Sequence, residues 1–332
     1  MDQLKHFQES VFTVTSENFE ERALAQFRWQ AAHNPIYRRY LHELNINSSD
    51  IGDTTQIPFL PIDFFKYHRV LSGQNIPVEA VFESSGTTGQ LRSQHYVAHL
   101  AYYHRVSQRI FEQRFGSLDS YHVLALLPTY LERNNASLVS MVDHFVQQSG
   151  SPTSGFYLSD YEKLLKVIGK ARRSNRRTLL IGVTFALLHL AERYSPDLRG
   201  VLLLETGGMK GMRRELTRPE VYQQLRQQTG VEQISSEYGM TELLSQAYST
   251  ASGVFESPPW MRIFMREVSD PFALSTRGSG GINVIDLANA HSCSFIETMD
   301  RGHLREDLSF EVLGRLDNSD VRGCNTMVIN QS

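Results

Sequence analysis

The chain has 332 residues, 41% of them apolar and 21% charged, with 33 basic against 36 acidic side chains for a formal charge of −3. These proportions exclude disordered, collagen-like and coiled-coil chains, and the near balance of charge leaves no polybasic footprint for nucleic acid. Length favours about two domains, and two cysteines, Cys293 and Cys324, are too few for a disulfide framework. The first residues, MDQLKHFQES, lack the apolar core of a signal peptide. The longest apolar stretch, Leu179 to Leu188, stops at His189, short of a bilayer span. A cytoplasmic protein without a membrane span is expected.

Residues 16–33 have the pattern of an amphipathic helix that Ser16 or Asn18 can cap. Asn34-Pro35 restarts a helix, with Asn34 as cap, Pro35 in the first turn, and Ile36, Tyr37, Tyr40, Leu41 and Leu44 on one face. The Asn, Ser, Asp and Pro content of 45–62 predicts loop. VEAVFE (78–83) reads as a strand running into SSGTTGQ (84–90), and Leu100, Tyr103, Ile110 and Phe111 suit a helix after it. Strands at 121–128, 178–183, 200–208 and 231–239 then alternate with helices at 137–148, 160–172, 185–194 and 217–228. Such alternation predicts an α/β protein with a helix-covered, largely parallel sheet. After about residue 255 come short strands between turns, in PPWMRIFMREV, GGINVIDLA, CSFIETMD and FEVLGRLD. The expected organisation is an α/β body over 1–254, helical over 1–75, and a small β-rich subdomain with its tail over 255–332.

Two strings carry chemistry. Ser84-Ser85-Gly86-Thr87-Thr88-Gly89 directly follows a predicted strand. Its glycines permit close backbone approach, successive N–H groups can form an anion nest, and its hydroxyls adapt to phosphate oxygens. Neither the Walker A pattern nor a GxGxxG after a strand is present, which leaves classical P-loop and dinucleotide binding without support. The second string, Ser235-Ser236-Glu237-Tyr238-Gly239-Met240-Thr241-Glu242, ends another predicted strand. It supplies a ring to stack on a base, a hydroxyl for phosphate and a carboxylate for Mg2+, which prefers oxygen ligands. Both strings fall at carboxyl ends of strands, where α/β sheets bind ligands.

SSGTTG and YGMTE resemble the phosphate-loop and adenine/magnesium motifs of the acyl-adenylate-forming enzymes. ETGGMKG, SEYGMTELLSQAY, ETMD and GRLDNSDVRGCN resemble the LuxE-type acyl-protein synthetases and the related phenylacetate-CoA ligases, from about residue 80 onward. The resemblance implies the large mixed-sheet body of that superfamily. It also implies that Ser84, Ser85, Gly86, Thr87, Thr88 and Gly89 hold the ATP β- and γ-phosphates. Arg92 stands where relatives carry a lysine. Gly207 and Gly208 lie against adenine, Glu237, Tyr238 and Gly239 contact the base, and Thr241 meets the α-phosphate. Glu242 holds Mg2+, Asp300 the ribose hydroxyls, and Arg315 ribose and phosphate. Taken singly, Asp300 and Arg315 read as a surface ion pair; taken in order with the two strings, they read as site residues.

Relatives continue for roughly a hundred residues past the GRxD hinge, as a mobile lobe with a catalytic lysine. Here nine residues follow Gly323, Asp317 occupies the hinge position, and none of the six lysines lies beyond Lys210. The expectation is that the lobe is absent and that Lys210 or Arg92 supplies its positive charge. In the resemblance Cys324 is the acyl-carrying thiol, activated by Arg322 beside it; a small buried apolar role is equally open. Cys293, in a strand-like run, is expected in the core. Tyr130 and Phe185 fall in regions that line the acyl pocket of relatives. Of the twelve histidines, His95, His99, His104, His144 and His189 show no metal-ligand spacing. The implied activity is ATP- and Mg2+-dependent activation of a carboxylic, fatty-acid-type substrate and transfer to a thiol: Cys324, an acyl-carrier or acyl-accepting protein, or coenzyme A. The competing expectation is a nucleotide- or acyl-binding accessory protein that has lost efficient chemistry.

Overall fold

A computed structural model describes residues 2–84, 91–127, 135–207, 216–249, 253–267 and 269–316. They form two compact units, one of residues 2–102, 241–245 and 256–316, the other of 103–240 and 246–255. The chain passes between them at Tyr102, Met240, Ser245 and Phe255.

In the first unit, helices Phe19–His33 and Pro35–Glu43 meet at Asn34. Its Oδ1 accepts the Ile36 and Tyr37 N–H groups, both at 3.0 Å, satisfying donors the second helix leaves free. Strands Leu274–Ser275, Met261–Arg266, Gly278–Asp286, Phe295–Leu304 and Phe310–Arg315 lie side by side in that order, all antiparallel. Leu60–Pro61 adds to Phe295–Leu304 in parallel. Two buried glutamines dock the first helix onto the loop between the long strands. Gln26 Nε2 donates to Leu287 O at 3.1 Å, and Gln30 Nε2 to Ala290 O at 3.0 Å, meeting carbonyls that would otherwise be buried without partners. Phe27 packs edge-on against Phe295, centroids 5.7 Å apart. A separate hairpin, Ala80–Glu83 against Gln94–Val97, pairs Glu83 with Gln94. Its second strand is absent from the sequence reading, because QHYV is short and polar.

The second unit holds the alternating region. Gly155–Phe156, Tyr121–Leu126, Arg177–Val183, Val201–Thr206 and Gln233–Tyr238 are parallel neighbours in that order, and Ala247–Ser249 closes the series antiparallel. Tyr121–Leu126 and Val201–Thr206 are buried at every position, and the apolar runs 123–126 and 201–204 within them reflect that burial. A Cβ on Gly182 would lie 2.7 Å from Leu187 Cδ2 and 3.3 Å from Leu126 O, so glycine lets the next helix fold tightly onto the strand. Helices Ser137–Ser149 and Arg218–Thr229 stop at Gly150 and Gly230, both with positive φ. All five parallel strands therefore present their carboxyl ends at one edge, at Phe156, Leu126, Val183, Thr206 and Tyr238.

Candidate active site

The site residues gather as two groups, one in each unit. In the first unit Ser84 closes the strand that leads into the glycine and hydroxyl loop. Ser84 N donates to Ser93 O and Ser93 N donates to Ser84 Oγ, both at 3.0 Å, so the hairpin pins both ends of that loop. The Ser93 hydroxyl in turn hydrogen-bonds the Glu242 carboxylate. Glu242 is 4% exposed. Burial raises its carboxyl pKa, Asp300 adds to the rise, and Ser93 and Arg315 oppose it. Arg315 Nε lies 3.7 Å from Asp300 Oδ1, with the arginine exposed and the aspartate mostly covered. The hairpin of Ala80–Glu83 with Gln94–Val97, Glu242, Asp300 and Arg315, from four separate stretches of sequence, thus belong to one locality. Arg92 lies on the hairpin, its Nη1 3.6 Å from Glu83 Oε2.

The turn bearing Thr241 and Glu242 is held from behind. His95 Nδ1 lies 2.7 Å from Thr241 O, and His95 Nε2 lies 3.1 Å from Asn289 Oδ1. Asn289 Nδ2 donates to Glu242 O at 2.8 Å and to Cys293 O at 2.9 Å. Burial pushes the His95 imidazole down to about 4, against the two acceptors, Thr241 O and Asn289 Oδ1, which favour the protonated ring. Asp286, fully buried, accepts from Leu244 N at 2.9 Å and from Ser245 N and Oγ at 2.8 and 2.7 Å. Ser93, His95, Asn289 and Asp286 escape the sequence reading, since their partners lie far along the chain and no spacing rule links them.

In the second unit the other group sits at the carboxyl ends of the parallel strands. Glu237 accepts a hydrogen bond from Thr206 Oγ1. Its carboxyl is pushed up to about 7, chiefly by burial; Thr206 pulls it down and the neighbouring Glu205 charge adds to the rise. Glu205 is buried and accepts from Thr184 and from Ser236 Oγ, the latter at 2.6 Å. Thr184 Oγ1 also lies 3.1 Å from Gly207 O, which brings the glycine turn to the head of the helix carrying Phe185. Phe185 is half-buried there. A Cβ on Gly239 would collide with the Glu237 carboxylate, so this glycine keeps that oxygen clear. The Tyr238 ring is buried, 5.9 Å from Phe255. Thr206, Glu205 and Thr184 are further residues that the sequence reading did not single out.

Ser85, Gly86, Thr87, Thr88, Gly89, Tyr130, Gly208, Lys210 and Cys324 lie outside the described residues. Cys293 is fully buried, and burial pushes its thiol up to about 12, as suits a core residue. Among the described residues no set of three or more His, Cys, Asp or Glu side chains makes a metal cage, and no helix is long and apolar enough to cross a membrane. A lone buried carboxylate with hydroxyl neighbours fits Mg2+, which takes one or two carboxylates and completes its shell with water and substrate phosphates.

The acyl-protein synthetase family, LuxE, matches residues 10–332, and the chain belongs to that family. The chain is 22% identical over 333 residues to the long-chain-fatty-acid–luciferin-component ligase of Vibrio harveyi, covering 90% of this chain and 84% of that one. The ligase of the same description from Photorhabdus luminescens is 38% identical over 73 residues, 21% of this chain. A crystal structure of 2-hydroxyisobutyryl-CoA ligase, in an open conformation with 2-HIB-AMP and CoA, superposes with a TM-score of 0.64 at 12% identity, covering 93% of this chain and 78% of that one. O-succinylbenzoate-CoA synthetase of Bacillus subtilis, in complex with ATP and magnesium, gives 0.54 at 17% identity, covering 73% and 51%. ATP-bound MatB of Rhodopseudomonas palustris gives 0.53 at 18%, covering 72% and 48%. The chain thus spans about half the length of these last two, and the likenesses establish its fold as that of adenylate-forming ligases.

Proposed function

We propose that this chain activates a fatty-acid-type carboxylate with ATP and delivers the acyl group to a protein thiol in the cytoplasm. A carboxylate oxygen attacks the α-phosphorus, the bond to the β-phosphate oxygen breaks, and pyrophosphate leaves. A thiolate then displaces AMP from the acyl carbon. The observation that carries this reading is the Glu242 locality: a buried carboxylate touched by the hairpin that bears the phosphate loop, with Asp300 and Arg315 acting on it. In it, residues 84–89 receive the β- and γ-phosphates and Thr241 the α-phosphate. Asp300 and Arg315 take the ribose, and Glu242 with the nucleotide's phosphates would hold Mg2+. Magnesium, when bound, supplies positive charge against the phosphates during transfer. Gly207, Gly208, Glu237, Tyr238 and Gly239 serve the base, Tyr130 and Phe185 the acyl chain, Arg92 or Lys210 the charge of the leaving phosphates, and Cys324 the acyl relay. Catalysis then rests on positioning and electrostatics.

Isotope exchange of pyrophosphate into ATP, run over a panel of fatty and aromatic acids, tests the reading. Exchange that depends on one class of acid and falls by about 10²–10³ in Glu242→Ala supports it. Tight ATP binding without exchange for any acid would instead make the chain an accessory binder. Hydroxylamine-labile acyl labelling that persists in Cys324→Ser would remove that cysteine from the relay.

A further inference from the structure

The turn that carries Thr241 and Glu242 has few backbone partners of its own. Its carbonyls are met by side chains from two distant segments, His95 on the hairpin and Asn289 in the loop after the strand Gly278–Asp286. Both side chains are buried, at 1% and 0% exposure. The amide orientation of Asn289 is fixed, because Nδ2 serves two carbonyls at once, Glu242 O and Cys293 O. The Thr241 carbonyl and, with the amide so fixed, Asn289 Oδ1 can only accept, so both ring nitrogens of His95 face acceptors, and the shorter contact, 2.7 Å, marks Nδ1 as a donor. His95 is two residues from Ser93, whose hydroxyl meets the Glu242 carboxylate. One short segment, residues 93–95, therefore reaches this turn at its main chain and at its carboxylate, and that segment follows closely on the glycine and hydroxyl string.

We propose that His95 and Asn289 are positioning residues. They lock the Thr241–Glu242 turn onto the phosphate-loop hairpin, so that the metal carboxylate is preset against the phosphates rather than drawn in when nucleotide binds. This rests on the role of Glu242 proposed above. Neither residue touches the reacting atoms. Their contribution lies in the ordering of a ligand oxygen, and partners that order metal ligands typically change metal affinity or activity by about 10–100-fold.

Two measurements on the intact chain test it. The first is amide hydrogen exchange without nucleotide, comparing wild type with His95→Leu and His95→Asn. Asparagine keeps a donor near the Nδ1 position, so the lock predicts about tenfold faster exchange across 241–245 in His95→Leu and recovery to within threefold of wild type in His95→Asn. Protection in the parallel strands should stay unchanged. The second is Mn2+ binding in the presence of a non-hydrolysable ATP analogue, followed by electron paramagnetic resonance. The dissociation constant should rise about tenfold or more in His95→Leu and in Asn289→Ala. Unaltered exchange across 241–245, or loss of protection spread evenly over the first unit, would overturn the lock. So would metal affinity equal to wild type in a folded His95→Leu. Should Asn289→Ala not fold, the two His95 variants decide the matter. If wild type shows the turn protected but no acid supports pyrophosphate exchange, the proposed activity fails while the lock still stands or falls on hydrogen exchange.

Discussion

Two glutamates five positions apart in sequence, Glu237 and Glu242, end up in unlike surroundings. Both are raised above their ordinary range, and in both burial is the leading cause. The difference lies in what surrounds them. Glu237 has a threonine hydroxyl and a like charge from Glu205, and among the described residues no cation acts to lower it. Glu242 has a serine hydroxyl and the guanidinium of Arg315, which partly cancels Asp300. The first environment favours a carboxyl that holds a proton near neutrality and can both donate and accept, as a base edge requires. In the second, a guanidinium and a hydroxyl oppose the rise that burial causes. Covalent neighbourhood decided neither environment, since the chain changes compact unit between Met240 and Thr241.

The largest stability effect expected from this contrast belongs to Glu237. Its native pKa of about 7 lies above the ordinary 4.5, so the folded state binds the proton more tightly than the unfolded chain. Stability from this group is therefore complete below about pH 4.5 and is lost as pH rises through about 7. Glu237→Gln removes that loss. It should stabilise the protein by about 3 kcal/mol at pH 8 and by less than about 1 kcal/mol at pH 5. Urea unfolding at the two pH values measures this, and an equal effect at both would break the assignment of a raised pKa.

A smaller effect is expected at Thr206. Its hydroxyl favours the charged form of Glu237, so Thr206→Val should cost about 1–2 kcal/mol at pH 8, where the carboxylate is ionised, and less at pH 5. The Michaelis constant for ATP should rise severalfold if Glu237 reads the base. A pH-independent cost would make Thr206 a packing residue alone.

Much of this fold is legible in the sequence. Three of the parallel strands carry apolar runs, 123–126, 179–181 and 201–204, and Asn34-Pro35 announces its helix. The two glycine and hydroxyl strings mark carboxyl ends of strands, where the described parts of the site lie. The supports are not legible. His95 meets Asn289 across 194 positions and Thr241 across 146, and Gln26 and Gln30 reach carbonyls about 260 positions away. A lone histidine or asparagine in a short polar strand or loop has no period to betray it, because its partner is chosen by tertiary packing. The change of texture near residue 255 signals where the antiparallel strands begin, and carries no sign that helices from the start of the chain dock on their loops.

The smallest stability effect and a clear functional one should coincide at Arg315. Its side chain is 73% exposed and its contact with Asp300 is 3.7 Å, so water screens the pair. Arg315→Ala should change unfolding free energy by no more than about 0.5 kcal/mol. A surface ion pair predicts nothing beyond that. The proposed site predicts more, because Arg315 lowers the pKa of Glu242, and its removal lets that carboxyl rise further. A carboxyl must be ionised to bind a cation, so the acid limb of metal-dependent pyrophosphate exchange should move to higher pH in Arg315→Ala, while Arg315→Lys, which keeps the charge, should restore most of it. The Michaelis constant for ATP should rise about tenfold if the guanidinium also reaches ribose or phosphate, through the loss of a charge-assisted hydrogen bond. An unshifted acid limb with an unchanged Michaelis constant would reduce Arg315 and Asp300 to an ornament of the surface, and would leave Glu242 with Ser93 as its one described side-chain hydrogen-bond partner.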